Sequence, residues 1–154
     1  MEARFGQTAS LLNDGRTLLV GGQDGNGPKS TLELFDPVAN TFKAPAPSPL
    51  PTTLASPRYG HAALVYPSSG FVVIVGGTDG NVSLDSTEIF YPLSGTTFAG
   101  PPLTTGRAGL SATLLAWTVA CRAMGPEDRC GVAKGDDVLH AAHVGIADRQ
   151  PHPH

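Results

Sequence analysis

Short apolar runs separated by turn residues dominate the first hundred residues of the chain. Gln7–Leu12 is half apolar and ends at the turn sequence Asn13-Asp14-Gly15, after which Thr17–Val20 is apolar again. Two such runs flanking an Asp-Gly turn are typical of a β-hairpin. Thr31–Phe35 alternates between apolar and polar residues, as a half-buried strand does, and Thr41-Phe42 adds a short outer strand. The pattern therefore predicts four antiparallel strands in this segment.

The same order of strands is predicted a second time. His61–Tyr66 leads through Pro67-Ser68-Ser69-Gly70 into Phe71–Val75, and Ser86–Tyr91 alternates before a final short strand at Thr97-Phe98. The second of these strands, Phe71–Val75, contains a continuous run of β-branched residues, which is typical of a strand buried on both faces. Each set of four strands is predicted to form one antiparallel sheet.

The two sets of strands are copies of one sequence unit. Gly21-Gly22-Gln23-Asp24-Gly25-Asn26 returns 55 residues later as Gly76-Gly77-Thr78-Asp79-Gly80-Asn81. Three further landmarks recur: Arg4-Phe5-Gly6 at Arg58-Tyr59-Gly60, Glu33-Leu34-Phe35-Asp36-Pro37 at Glu88-Ile89-Phe90-Tyr91-Pro92, and Thr41-Phe42, one residue late, at Thr97-Phe98. Landmarks in register over about 40 residues indicate that each copy is one supersecondary unit.

The unit resembles the kelch repeat, in which an apolar strand ends in a double glycine and an aromatic residue follows. Leu18–Gly22 and Val72–Gly77 carry this resemblance, and kelch repeats have a period near 50 residues. Glu33–Pro37 and Arg58-Tyr59-Gly60-His61 resemble the variant of bacterial kelch and galactose-oxidase-like proteins. The resemblance extends from residue 4 to about residue 115. It implies a β-propeller in which each four-stranded blade is one repeat.

Several residues are assigned structural roles on this basis. The double glycines allow close approach where neighbouring strands and blades crowd. Phe42 and Phe98 stand where the family usually has tryptophan, and both are expected to fill that site. The residues predicted to serve structure are Gly21, Gly22, Gly76, Gly77, Glu33, Glu88, Phe42 and Phe98.

A third copy begins on schedule but is not completed. Arg107-Ala108-Gly109 repeats the opening, and Leu110–Leu115 has the pattern of another first strand, yet no double glycine follows near residue 125. Trp117–Cys121 is a possible second strand. Asp136–Arg149 has a weak helical pattern, which Gly145 and the prolines near the end oppose. This tail is either an evolved segment or the product of a truncated or mis-joined reading frame.

The predicted fold is all-β: an incomplete kelch-type propeller of two four-stranded antiparallel blades. The propeller region spans residues 1–115, with blades at about 4–43 and 58–99 and a rudimentary third at 107–115; residues 116–154 form an irregular or weakly helical tail. Because propellers usually close with four to eight blades, two and a fraction leave apolar faces open. We therefore expect a marginal monomer, a homo-oligomer that completes the ring, or a fragment of a longer protein.

Composition and charge exclude several classes of partner. Charged residues make up 15% of the chain, below the roughly 25% usual in globular proteins, and the net charge of -3 disfavours nucleic acid. The longest apolar stretch, Leu110–Cys121, is too short to span a membrane. The first residues lack a signal-peptide pattern, which favours the cytoplasm. Two cysteines, Cys121 and Cys130, provide no disulfide framework.

Two groups of polar residues are candidates for binding. Asp24, Asn26, Asp79 and Asn81 lie in loops that kelch propellers often use to recognise peptides, although their recurrence favours turn chemistry. Arg4, Arg58 and Arg107 open successive copies. They could form a cationic ring that grips acidic peptides, but structural ion pairs between blades, for instance with Glu33 or Glu88, are favoured.

No catalytic, metal or cofactor site is predicted. Galactose oxidase, a kelch propeller enzyme, binds copper with tyrosine and histidine ligands, and one of the tyrosines is joined to a cysteine. The candidate ligands in this sequence are His61, Tyr59, Tyr66 and Tyr91. Nothing in the sequence places two tyrosines and two histidines together. We expect His61, where the first copy has Gln7, to be a polar residue buried beside the neighbouring blade. Cys121 and Cys130 have the wrong spacing for a zinc knuckle. The remaining histidines, His140, His143, His152 and His154, give a loose match or sit at the terminus.

The function predicted from the sequence is a non-catalytic kelch-repeat module for protein interaction or scaffolding. It would bind a protein or peptide through loops at residues 23–30, 44–57, 78–85 and 99–106. Two alternatives stay open. One is a fragment of a galactose-oxidase-like or other carbohydrate-active propeller, and the other is a truncated product without independent activity.

Overall fold

The structure is a computed structural model that describes residues 3–45 and 52–114. Every regular element in these residues is a β-strand: β1 Thr8–Leu11, β2 Thr17–Val20, β3 Gln23–Asp24, β4 Gly27–Pro28, β5 Leu32–Asp36, β6 Thr41–Lys43, β7 Ala62–Val65, β8 Val72–Val75, β9 Thr87–Tyr91 and β10 Thr96–Ala99. No helix able to cross a membrane occurs in this part of the chain. The helical pattern at Asp136–Arg149 lies outside the described residues.

The eight longer strands form two antiparallel sheets, as the sequence predicts. Blade 1 contains β1, β2, β5 and β6 in that order, and blade 2 contains β7, β8, β9 and β10. Within each blade, strands that follow one another along the chain lie side by side. The described part of the chain is therefore all-β and consists of two four-stranded blades, as the sequence predicts.

A small hairpin between β2 and β5 was not predicted. In the first copy β3 and β4 pair through Asp24 and Gly27, whereas the second copy has only an isolated bridge between Thr78 and Ser83. The turn chemistry in these loops was expected, but two-residue strands are too short to leave an alternating pattern in the sequence.

The blades pack face to face over a shared apolar core. Leu18 and Val20 of β2, with Leu32 and Leu34 of β5, lie on the face of blade 1 that meets blade 2. The residues of blade 2 in the same cluster include Val72, Ile74 and Phe90, each fully buried. Leu54, from the connection between the blades, completes the cluster. Neither blade could bury these side chains alone, so the two sheets stabilise each other.

Burial along β9 differs from the prediction. β5 is half-buried as expected, with Leu32 and Leu34 buried and the residues between and after them partly exposed. In β9, the four residues from Thr87 to Phe90 are all buried. The reason is that blade 2 is covered on both faces: the Thr87 hydroxyl donates to the Pro101 carbonyl at 2.6 Å, so the chain after β10 folds back over it.

The two aromatic residues expected to be equivalent lie on opposite faces of their blades. Phe42 pairs with Phe35 across β5 and β6, and their ring centroids are 4.8 Å apart. Phe98 pairs with Ile89, and its ring packs at 5.1 Å against Tyr91. Because side chains alternate along a strand, the one-residue delay in the second copy moves the aromatic ring to the other face. The expectation that one site holds both rings is wrong.

The first residues of the third copy, Arg107-Ala108-Gly109, contact blade 2 in the same way as the first residues of the second copy, Arg58-Tyr59-Gly60, contact blade 1. Gly22 donates its amide to the Arg58 carbonyl at 2.9 Å, and Gly77 donates to the Arg107 carbonyl at 2.7 Å. Likewise the Gly60 amide donates to Gly6, and the Gly109 amide donates to Gly60. Residues 110–114 contain no strand, and the second strand suggested at Trp117–Cys121 lies outside the described residues.

Candidate functional site: a loop surface above buried arginines

The candidate loops gather at one end of the two blades. Antiparallel order places the connection after the second strand of each blade at the same end as the connection that leaves the fourth strand. The hairpin turns lie at the opposite end, where the Asn13 side chain donates to the Pro67 carbonyl at 3.1 Å. One end of the structure is thus built from the predicted loops, of which residues 46–51 lie outside the described part.

Backbone hydrogen bonds join these loops in two pairs, one in each copy, and Pro28 and Gly80 bring the two pairs together. The Leu54 amide donates to the Ser30 carbonyl at 2.9 Å, and the Leu103 amide donates to Asp85 at 2.7 Å in the equivalent position of the second copy. Pro28 lies so near Gly80 that an added Cβ would sit 3.4 Å from the proline ring. The loops of both blades are therefore held next to each other.

The first-copy loop is organised by the carboxylate of Asp24. One oxygen accepts the Asn26 amide at 2.8 Å, and the other lies 2.7 Å from the Lys29 ammonium. The Lys29 side chain, followed by the backbone amide, holds the pKa of Asp24 below its ordinary value. Asn26 is exposed at the tip of the turn.

In the second copy Asp79 plays the same part with backbone donors alone. Its carboxylate accepts the amides of Asn81 and Val82 at 2.8 and 2.9 Å. These bonds, with that of Val82 first, keep the pKa of Asp79 below its ordinary value. Asn81 is exposed. Both aspartates serve turn chemistry while they present negative charge at the loop surface.

Arg58 lies beneath this surface with a fully buried side chain. Its guanidinium donates to the Glu88 carboxylate at 2.7 Å, to the Gly76 and Ser86 carbonyls at 2.9 and 3.0 Å, and to the Ser86 hydroxyl at 3.0 Å. Burial lowers the pKa of Arg58, and the charge of Glu88 opposes this effect. The ion pair itself lies within one copy, but Arg58 also bonds to blade 1 through its backbone, since its amide donates to Lys29 at 3.0 Å.

Arg4 occupies the equivalent place in the first copy. It donates to the Gly21 carbonyl and the Thr31 hydroxyl, each at 3.0 Å, and forms an ion pair with Glu33. Arg107 has the backbone position of the other two, but the described residues provide no acceptor for its guanidinium. The three arginines therefore do not form a cationic ring on the loop surface, because two of them are turned inward to carboxylates.

His61 is a buried polar residue at the boundary between the blades. Its Nε2 shares a hydrogen bond of 2.9 Å with the Thr8 hydroxyl of blade 1, while Nδ1 is buried without a partner, as is Oε1 of Gln7 at the equivalent position. Burial, and then the charge of Arg58, lowers the pKa of His61 to about 4. The imidazole is therefore neutral at physiological pH.

The alternatives with metal chemistry find no cluster in the described residues. No group of three or more histidine, cysteine, aspartate or glutamate side chains able to hold a metal ion occurs there. Tyr91 packs between two phenylalanines, Phe71 at 4.1 Å and Phe98. The cysteines and the four C-terminal histidines lie outside the described residues.

Comparison with known families identifies the repeat. The family model described as the Kelch motif matches residues 4–49, which span the Arg4 site, the first double glycine and all of blade 1. Blade 2 repeats that strand order, and the two blades together are consistent with part of a kelch-repeat propeller. No curated protein matches the chain. Kelch repeats typically mediate protein interaction and are generally non-catalytic.

Sequence reasoning found the arginines, the carboxylates and the turn residues, but not how they combine. The spacing from Arg4 to Glu33 is close to that from Arg58 to Glu88, and this recurrence was the available signal for two equivalent sites. The contact between the loops at Pro28 and Gly80 left no such signal, because it depends on the packing of one blade against the other.

Proposed function

We propose that the loop end of the two blades is a docking surface for a polypeptide partner. The observation that carries the proposal is that hydrogen bonds join loop 23–30 to loop 52–57 and loop 78–85 to loop 99–106, and that Pro28 lies close to Gly80 between the two pairs. A rigid scaffold that presents adjoining loops is the usual arrangement of a binding surface. The Kelch motif at residues 4–49 supports an interaction role.

Charge and exposure indicate which residues face the partner. Asp24, Asn26, Asp79 and Asn81 lie at the loop tips, and Asp85 is exposed beside them. Arg4 and Arg58 are excluded from contact because their guanidinium groups are buried against carboxylates. Asp24 is paired with Lys29 of the same loop, but Asp79 and Asp85 still give the surface negative charge. Such a surface fits a peptide that carries lysine or arginine better than an acidic one.

Selection from a random peptide library displayed on phage, with the 154-residue chain immobilised, tests the proposal. Isothermal titration then compares a selected peptide on the wild type, on the double variant Asp79→Asn/Asn81→Ala, and on Ser68→Ala. Asparagine can still accept the turn amides, so the double variant removes charge and side-chain contacts while it keeps the loop. Ser68 lies exposed at the opposite end and is the matched control.

We expect basic peptides to be enriched and the double variant to bind them at least about tenfold more weakly, the effect of roughly 1.4 kcal/mol. Ser68→Ala should bind as the wild type does. Absence of any enriched peptide, or equal affinity for the wild type and the loop variant, would contradict the proposal.

A further inference from the structure

The outer face of blade 1 is an apolar surface that nothing in the described residues covers. The register of the strands places Ala9, Leu11, Leu19, Phe35 and Phe42 on it, and this set is called the open face below. Leu11 is 69% exposed and Phe42 is 37% exposed. The same side of blade 1, which faces away from blade 2, also carries Thr17 and Glu33, and the Glu33 carboxylate forms an ion pair with Arg4.

The equivalent face of blade 2 is buried, and its burial shows what the open face fits. Val65, Ile74 and Phe90 hold the repeat positions of Leu11, Leu19 and Phe35, and all three belong to or pack against the core between the blades. Their partners on blade 1 include Leu18 and Leu34. The open face therefore has the pattern of a face that packs against apolar side chains such as Leu18 and Leu34.

The side of blade 2 that faces away from blade 1, called the far face below, carries matching residues. In one chain Val75 and Ile89 on this face are buried, and the Thr87 hydroxyl of the same face donates to Pro101 in the segment after β10, so a second copy has to displace part of the chain that follows β10. Val73 and Ile89 hold the repeat positions of Leu18 and Leu34, and Phe98 stands beside them, 43% exposed. If the open face of one copy packed on the far face of another copy, the contact would repeat the one already present between blade 1 and blade 2 of a single chain. Since the two faces are at opposite ends of the pair of blades, one molecule cannot join its own.

Residues 107–114 lie along the edge of the far face, and their sequence closely matches that of residues 4–11. Residues 107–114, Arg-Ala-Gly-Leu-Ser-Ala-Thr-Leu, share arginine, glycine, alanine and leucine with residues 4–11, Arg-Phe-Gly-Gln-Thr-Ala-Ser-Leu. The other two positions of the strand exchange one hydroxyl residue for another. Residues 58–65 share only the arginine, glycine and alanine.

Among the described residues, residues 107–114 make fewer hydrogen bonds than the strand they resemble. They are bound through the Arg107 carbonyl and amide and the Gly109 amide, they form no strand, and Leu114 is 36% exposed. Arg4 is paired with Glu33 of its own blade. Among the described residues, no acceptor lies against the guanidinium of Arg107. A second blade 1 could replace these backbone bonds with equivalent ones and bury its open face as well.

We propose that copies of this chain associate head to tail, with the open face of one copy on the far face of blade 2 of another. Residues 4–11 of the incoming copy take the place of residues 107–114. The Phe5 ring, now 62% exposed, then lies over Gly60 of the other copy, as Tyr59 lies over Gly6 within one chain. This inference is independent of the loop surface and concerns a second copy of the same chain as the occupant.

Complementation between two variants tests the proposal, with mass measured by light scattering after size-exclusion chromatography. Leu11→Glu blocks the open face, and Phe98→Glu blocks the far face. The control Val38→Glu places the same charge in a turn at a residue that is 96% exposed and lies on neither face. Circular dichroism checks that each variant keeps its strands, and Phe42→Glu replaces Leu11→Glu if that variant unfolds.

The wild type and Val38→Glu should form an oligomer of defined size, and each blocking variant alone should be monomeric. Their equimolar mixture should give a dimer, because one intact open face remains on one partner and one intact far face on the other. Hydrogen exchange of residues 107–114 should be faster in the oligomer than in the Leu11→Glu monomer.

Three results would overturn the proposal. A wild type that is monomeric up to the highest soluble concentration has no such association. Dimerisation of Phe98→Glu alone would show that two open faces meet each other, and assembly of both Leu11→Glu and Phe42→Glu would show that the open face is not used. Unchanged exchange of residues 107–114 on assembly would exclude the replacement of that segment.

Discussion

Arg58 and Glu88 place a full ion pair inside a small β-structure with little charge elsewhere in its core. Removal of two charges from water is costly, and a buried pair is tolerated only when further hydrogen bonds satisfy the remaining donors. Here the carbonyls of Gly76 and Ser86 and the Ser86 hydroxyl accept those donors. The Glu88 carboxylate also accepts the Ala55 amide at 2.9 Å. The pair therefore fixes the chain between the blades in one position relative to blade 2.

His61 gives the molecule a pH dependence at the same boundary. Its pKa falls from 6.5 in the unfolded chain to about 4 in the folded one, so between these values the unfolded state binds more protons. Stability is therefore fully present at neutral pH and is lost as pH falls from 6.5 toward 4, by about 3 kcal/mol in total. Urea unfolding at a series of pH values between 6.5 and 4.5 measures this loss.

The matched control is His61→Gln, because the first copy carries glutamine at this position. Glutamine does not titrate, so the variant should lose clearly less stability than the wild type over this range of pH. If both proteins show the same decline, carboxylates or other groups cause it, and His61 does not.

At the scale of the element, each double glycine lies where its blade contacts the first residues of the following copy. Gly77 has a φ of 94°, and a Cβ there would lie 2.8 Å from the Tyr59 carbonyl oxygen and 2.9 Å from the Cβ of His61. Its amide also donates to Arg107. The residue is therefore fixed as glycine both by its backbone conformation and by the closeness of its neighbours.

Gly77→Ala should destabilise the fold substantially, and its matched control is Gly25→Ala. Positive φ alone costs an alanine about 1–3 kcal/mol, and the overlap with the Tyr59 carbonyl adds to that cost. Gly25 has no neighbour within 4 Å and no positive φ. Urea unfolding of both variants should give a clear loss for the first and a small change for the second; equal losses would show that the close approach at Gly77 is not present.

Much of the element structure could be predicted because it depends on local patterns. Four strands in each copy, their antiparallel order and their turns follow from apolar spacing and turn residues. The face on which Phe98 lies could not be read from the repeat, since a delay of one residue in the alignment reverses the face of a strand. The burial of β9 depends on the chain after β10 folding back, which no pattern inside the strand records.

At the scale of the whole molecule, the two copies form one unit because the core lies between them. Leu18, Val20, Val72, Ile74 and Phe90 are all fully buried, and none would be so in a single blade. Sequence could predict that the blades pack, since propeller blades do so in general. It could not predict that loops of both copies become one surface, because that depends on the distance between blades.

Amide hydrogen exchange on the 154-residue chain tests most directly whether the two repeats are blades of one unit. If they share their core, the strands β2 and β5 of blade 1 and β8 and β9 of blade 2 should open together, with equal and highest protection. The hairpin of β3 and β4 should exchange much faster. Protection confined to one blade, or none in either, would contradict the account.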